Sequence, residues 1–234
     1  MALFALSDTH LSLSVDKPMN IFGSRWTDHH KKIELAWNSM VKDTDTVVIG
    51  GDISWGIDLE EAKNDLLFID KLTGKKIFVK GNHDLWWNSL TKIQNLFDEL
   101  GITSIELLQN NYFKRDGFLI CGTRGWYVDP SNSPKDTSFE KLIKREAARL
   151  EMSIQSSLND EGERVVFLHF PPVFQDFVYR ELIDVLHKYD VKRCFYGHLH
   201  GMYKIPREFT FEDIEFTLVS ADFLNFVPFL IKLS

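Results

Sequence analysis

Cysteine is scarce in this chain: only Cys121 and Cys194 occur among 234 residues. Neither belongs to a C-x-x-C pair, and two scattered thiols do not make a disulfide framework. Also missing is any apolar run near the roughly 18 residues that span a bilayer. The start, Met1-Ala-Leu-Phe-Ala-Leu6, has no basic leader and reaches Asp8 too soon for a signal-peptide apolar region. A cytoplasmic protein without a membrane partner is the expectation. Positive charge is in deficit: 27 Lys and Arg face 34 Asp and Glu, a formal net charge of −7. Proteins that hold polyanions neutralise phosphates with Lys and Arg, so this balance argues against long nucleic acid as a partner. Linkers, repeats and low-complexity segments are absent too, which points to one domain over residues 1–234.

What is present suits an ordinary globular chain, with 44% hydrophobic and 26% charged residues. In the first hundred residues, short apolar runs alternate with helical periodicity. Strand-like segments at Ala2–Ser7, Thr46–Ile49 and Lys76–Val79 are separated by helical patterns at Thr27–Lys42 and Asp58–Leu72, with a further one at Ser89–Leu100. Asp58 and Glu61 stand in capping-box positions. This βαβαβ order predicts parallel strands with right-handed crossovers. The second half differs. Tyr112–Lys114 and Phe118–Gly122 flank Asp116-Gly117, a hairpin signal. Arg124–Asp136 reads as a long loop with two prolines, and Thr137–Leu158 as a helix opened by Thr137 and Glu140. Val165–Leu168 and Arg193–Tyr196 read as strands around a helix near Tyr179–Tyr189. Phe209–Leu233 is phenylalanine-rich and reads as antiparallel strand whose aromatics pack a second sheet.

Chemistry-bearing residues follow the strands. Asp8-x-His10, Gly51-Asp52, Gly81-Asn82-His83-Asp84, His169 and Gly197-His198-x-His200 each come immediately after a strand-like run. In open α/β sheets the loops at the carboxyl ends of the strands converge on the ligand, so residues distant in sequence meet at one rim. Imidazole nitrogen mixed with carboxylate and amide oxygen suits borderline divalent metals such as Mn, Fe, Zn or Co. Thiolate is absent from the set, which excludes a cysteine-type structural zinc site. Each block alone has a plain structural reading, as a polar loop, a turn or a packed histidine. Their joint occurrence in order favours the metal reading.

These five blocks resemble the signature of the calcineurin-like metallophosphoesterase superfamily, in the family's order from residue 8 to residue 200. The resemblance implies a four-layer α/β/β/α sandwich, with two mixed β-sheets face to face and helices outside. It implies two divalent metal ions, manganese or iron first among the candidates. One would take Asp8, His10 and His200; the other would take Asn82, His169 and His198; Asp52 would bridge them. His83 would be the catalytic histidine and Asp84 would hold its ring. Two cations at roughly 3.5–4 Å can share a hydroxide and neutralise the phosphoryl oxygens for in-line attack. A carboxylate beside His83 would raise its pKa and suit it to protonate the leaving group.

Other residues are less determined by sequence. Arg124, in Gly122-Thr-Arg-Gly-Trp126, suits either a bidentate phosphate clamp or a surface ion pair. Lys80 has a lesser claim of the same kind. Trp55, Trp86, Trp87 and Trp126 lie near the blocks, either as an aromatic wall, with Trp87 or Trp126 favoured, or as core beneath the loops. The segment between His10 and Thr27 is long enough to cover the site. Asp52-Ile-Ser-Trp-Gly lacks the arginine that phosphoprotein phosphatases carry there, so a small phosphomonoester or phosphodiester is the expected substrate. The alternatives are a nuclease-type phosphodiesterase, a mononuclear hydrolase of another fold, and a catalytically silent binding module on the same fold.

Overall fold

The computed structural model describes residues 1–126 and 138–233. The centre of the predicted loop 124–136 and the expected cap Thr137 lie outside the described residues.

Five strands form the first sheet, in the order β13 (Phe229–Ile231), β1 (Leu3–Leu6), β2 (Thr46–Ile49), β3 (Lys75–Phe78) and β4 (Ile105–Leu107). β1 to β4 run parallel, and β13 is antiparallel to β1. The connections are α1 (His29–Met40), α2 (Leu59–Lys71) and α3 (Leu90–Leu100). Local chemistry sets the ends of two of these helices. Asp58 accepts from the Glu61 amide at 2.9 Å, while Glu61 reaches back to the Ile57 amide rather than to Asp58 itself. Ser89 accepts from the Lys92 amide, and α3 stops at Gly101 with φ 69°.

The second sheet has the order β11 (Glu208–Phe211), β12 (Ile214–Leu218), β10 (Arg193–Tyr196), β7 (Glu163–Leu168), β6 (Phe118–Thr123) and β5 (Phe113–Arg115). Its four inner strands are parallel and both edges antiparallel. α4 (Ser138–Ser156) and α5 (Arg180–Lys188) cover its outer face. A small hairpin, β8 (Val173–Phe174) with β9 (Phe177–Val178), follows β7.

The result is the four-layer α/β/β/α sandwich. The pleat sends alternate residues to opposite faces. Leu3, Ala5, Val48 and Ile77 of the first sheet meet Ile120, Val165, Phe167 and Phe195 of the second in the central layer. Their neighbours Phe4, Leu6, Val47 and Ile49 turn outward to α1–α3, and Cys121, Val166, Leu168 and Cys194 to α4 and α5. Both faces of these strands are therefore buried, which explains their unbroken apolar runs. Cys121 and Cys194 share Val166 as register partner on the intervening strand β7. That places them about 9–10 Å apart, beyond disulfide reach. Both are free and buried, and burial pushes Cys121 up to about 11.

The C-terminal segment departs from expectation. Of this segment, β11 and β12 pair antiparallel at one edge of the second sheet, and β12 itself runs parallel to β10. β13 crosses back to the first sheet. Its phenylalanines divide accordingly: Phe209, Phe211, Phe216 and Phe223 pack the second sheet's outer layer, whereas Phe226 joins the first sheet's helices and Phe229 the central layer. Strands β4, β8 and β9 are too short to show a period. No helix among the described residues is long and apolar enough to cross a membrane.

Candidate metal centre

The two sheets are joined at their carboxyl ends. The Ser7 amide donates to Val219 O at 2.8 Å and the Ala221 amide to Ser7 O at 2.8 Å, so the loop after β1 is laced to the segment after β12. The Gly197 amide donates to His169 O at 3.1 Å, and the Asp8 amide to Gly51 O at 2.8 Å. All five blocks converge here. Asp8, His10, Asp52 and His198 adopt left-handed backbone, with φ of 59°, 42°, 51° and 70°. Non-glycine residues rarely do so, and such strain concentrates at functional sites. Two glycines permit the approach. A Cβ on Gly81 would overlap the Asp52 carboxylate and amide, and one on Gly197 would overlap Ser7 Oγ and Asp8 Oδ2.

Two groups of donors result. In the first, His10 Nε2 lies 3.0 Å from His200 Nε2, 190 residues away, and His200 Nε2 lies 3.4 Å from Asp8 Oδ1. In the second, His169 Nε2 lies 2.8 Å from Asn82 Oδ1 and 3.4 Å from Asp52 Oδ2; His198 completes this cluster with Asp52 and His169. The same Asp52 Oδ2 is 3.7 Å from His10 Nε2, so one carboxylate oxygen faces both groups. Ligands about 2.1 Å from a cation stand about 3.0–3.4 Å from one another, and these separations match. The buried His10 Nδ1 has no hydrogen-bond partner among the described residues. Both donor sets fit divalent ions.

Electrostatics in the metal-free chain have the same origin. Burial pushes the Asp8 carboxyl up, but His200, His169 and His10 outweigh it and hold Asp8 well below the usual range. Asp52 is drawn to about 2 against its burial, chiefly by His169. His169 is raised to about 9 by Asp52 and Asp8 despite burial, and His200 to about 10 by Asp8 and Asp222. Burial dominates at His10 and His198, which fall to about 3 and about 4. Two protons thus sit where cations would.

His83 and Asp84 depart from expectation. Asp84 is fully buried and accepts from five donors: the amides of Asp52, Ile53, Ser54 and Gly81, and the Trp86 indole, at 2.7–3.3 Å. Its oxygens are occupied in tying the second block to the third, and none of those bonds goes to the His83 ring. Burial, then the Asp52 charge, pushes Asp84 up to about 6, so it is ionised at neutral pH. His83 instead donates its amide to Asp52 Oδ1 at 2.7 Å and sets its ring 4.4 Å from Trp55. Half-buried, it is pushed down by burial, with Asp52 opposing. The predicted raising of His83 by Asp84 is therefore not found.

Several contributors escaped sequence reasoning. Asp222 accepts from His200 Nδ1 at 3.1 Å, the Gly201 amide at 3.0 Å and the Tyr203 hydroxyl at 2.9 Å, fixing the His200 ring. Ser220 Oγ donates to Asp8 Oδ2 at 2.8 Å. Asp222 follows β12 as the other acids follow their strands, so the same criterion would have found it. The segment after His10 folds as two 3-10 turns, Met19–Phe22 and Ser24–Trp26. With Trp55 and Tyr203 it walls a cavity of about 330 Å³ reaching His10, His83 and His200. Trp55 stacks on His10 at 4.9 Å. Of the other tryptophans, Trp86 is buried core, Trp87 donates to Gln109 at 3.1 Å and lines a second cavity, and Trp126 lies beneath the Arg124 guanidinium at 4.7 Å. Arg124 carries the rim directly, since its carbonyl accepts from the His169 and Phe170 amides. Its guanidinium is 3.9 Å from Glu146.

The comparisons with known proteins agree. A family model described as calcineurin-like phosphoesterase matches residues 1–202. The uncharacterized protein MJ1445 of Methanocaldococcus jannaschii is 30% identical over 83 residues, 35% of this chain; the chain spans 46% of that relative's length. The structure of TT1561 of Thermus thermophilus is similar at TM-score 0.59 and 12% identity, covering 94% of this chain and 89% of that one. Phosphopantetheinyl hydrolase of Mycobacterium tuberculosis matches at TM-score 0.56 and 16% identity, covering 94% and 88%. At such identities these structures speak for the fold alone, and it is the family model, matched across all five blocks, that places this chain among the calcineurin-like phosphoesterases.

Proposed function

We propose that the protein hydrolyses a small phosphomonoester or phosphodiester with two divalent cations held by the loops after the strands. The observation that carries this reading is Asp52 Oδ2, standing 3.7 Å from His10 Nε2 and 3.4 Å from His169 Nε2, between two donor sets. Asp8, His10 and His200 would hold one cation, and Asn82, His169 and His198 the other, with Asp52 facing both donor sets. Manganese, iron, zinc and cobalt all suit these donors. Bound there, the cations supply positive charge for the phosphoryl oxygens and a lowered pKa for water.

The chain's own residues supply the rest. Asp222 and Ser220 orient His200 and Asp8. Asp84 holds the backbone of the Asp52 and Asn82 blocks in register. His83 lines the aromatic cavity beside His10 and His200, which supports its giving a proton to a leaving alkoxide. Because burial depresses its pKa, this contribution strengthens as pH falls toward its titration.

The test pairs metal analysis with assays of metal-loaded protein on p-nitrophenyl phosphate and bis-p-nitrophenyl phosphate. A phosphopantetheinyl ester joins the panel, since the mycobacterial neighbour is a phosphopantetheinyl hydrolase. Two ions per chain and turnover of at least one ester are expected. Two bound ions with no turnover would favour a binding module instead, and one ion at saturation a mononuclear site. For His83→Ala we expect metal content to persist while turnover drops about 10²–10⁴-fold for poor leaving groups. An equal loss for good and poor leaving groups would count against proton donation.

A further inference from the structure

A second cavity of about 320 Å³ is lined by residues that adjoin the Asn82 and His169 blocks, and its wall is unlike the chain as a whole. In a protein of net charge −7, four cationic side chains line it: Lys80, Arg124, Arg145 and Arg149. They come from three places. Lys80 immediately precedes Gly81-Asn82. Arg124 leaves β6 with its carbonyl bonded to the His169 amide at 3.1 Å. Arg145 and Arg149 stand one turn apart on α4 and so share a face. Glu146 is the carboxylate among them. It is already engaged by Arg149 at 2.6 Å and by the Thr123 hydroxyl at 2.9 Å, and it meets Arg124 only at 3.9 Å.

Like charges gathered around a cavity repel one another, and a concave wall of one sign concentrates counter-ions of the other. Arg124 Nε is buried with no hydrogen-bond partner among the described residues, and its guanidinium carbon lies 4.7 Å from the centroid of the Trp126 ring. A guanidinium offers its donors in a fixed plane, the geometry that recognises phosphate oxygens. Against these four cations Glu146 sets one negative charge, whereas a phosphoryl group brings up to two together with three acceptor oxygens.

We propose that this cavity is a specificity site for a second phosphoryl group on the substrate, separate from the phosphoryl group at the metals. The inference rests on the phosphoester reading for its biological meaning, yet the anion site itself needs no metal. Trp87, 8% exposed and hydrogen-bonded to Gln109, forms the apolar wall that the linking part of such a substrate would cross.

The test begins with chelator-treated, metal-free protein titrated calorimetrically with inorganic phosphate at low ionic strength. Wild type should bind, and Arg145→Gln should weaken binding at least tenfold, with Arg145→Lys recovering most of it. Arg145 is exposed, so neither change threatens the fold. Equal binding by wild type and Arg145→Gln, or none by wild type, overturns the proposal. With Mn-loaded protein, a longer-chain alkane-α,ω-bisphosphonate and the matching alkylphosphonate are then compared as inhibitors of p-nitrophenyl phosphate hydrolysis. The preference for the bisphosphonate should shrink at least fivefold in Arg145→Gln, and an unchanged ratio counts against the site. If the loaded enzyme turns over no ester, the phosphoesterase reading fails, while the metal-free titration still decides the anion site.

Discussion

At the residue scale, Asp84 shows how chemistry and architecture share a motif. Neighbouring residues in Gly81-Asn82-His83-Asp84 suggest a histidine and its acid partner. The structure gives the acid to the backbone, with five donors on two oxygens. An ionised carboxylate satisfies them all, and an amide cannot, because its nitrogen is itself a donor. Asp84→Asn is therefore expected to lower the stability of metal-free protein by about 3 kcal/mol, read from urea unfolding midpoints, and to weaken metal binding. Unaltered stability would mean that these bonds do not hold the loops. The contrast with His83→Ala separates the two roles, since that change touches turnover and spares the fold.

At the element scale, the end of α2 depends on a residue of the next strand. Lys76 in β3 is fully buried, an unusual place for an ammonium. It donates to Asp70 O at 3.1 Å, to Leu72 O and to Ser104 Oγ at 3.1 Å. Carbonyls at a helix C-terminus lack intrahelical partners and carry partial negative charge, so a buried cation answers both needs. Burial lowers Lys76 to about 8. Lys76→Met keeps the stem and leaves those carbonyls unsatisfied, which should cost about 1–3 kcal/mol by urea denaturation. A neutral result would show that water replaces the ammonium. Elements were largely legible in sequence because their signals are local: Thr46–Ile49 and Arg193–Tyr196 stand where periodicity put them. The predicted helix start at Thr27 fails by two residues, because Asp28 adopts left-handed backbone and α1 begins at His29.

At the scale of the whole molecule, the centre couples pH, folding and metal. His169 and His200 have raised pKa values, about 9 and about 10, in the metal-free chain. Their stabilisation is fully present below the unfolded value near 6.5 and is lost as pH rises through 9–10. His10 and His198 are depressed to about 3 and about 4. Below 6.5 the unfolded chain takes up protons that these two refuse, so stability falls again toward pH 3–4. Metal-free protein should thus unfold at the highest temperature near pH 6.5, and a melting temperature flat from pH 4 to 10 would contradict this. Metal loading at pH 7.5 should release about two protons, one each from His169 and His200. Calorimetry in buffers of different ionisation enthalpy reads that number, and a buffer-independent heat would refute it.

Sequence alone determined the alternation of strands and helices, the five blocks and the kind of ion their donors suit, because each depends on neighbours within a few residues. Tertiary structure decided what those blocks do together. Sheet order brought His10 within 3.0 Å of His200, and set Asp222 behind the His200 ring. It assigned Asp84 to the backbone. It also carried Arg145 and Arg149 of α4 to the cavity beside Lys80 and Arg124. No local period encodes such meetings, since they follow from which strands pair and from the packing of two sheets through one central layer.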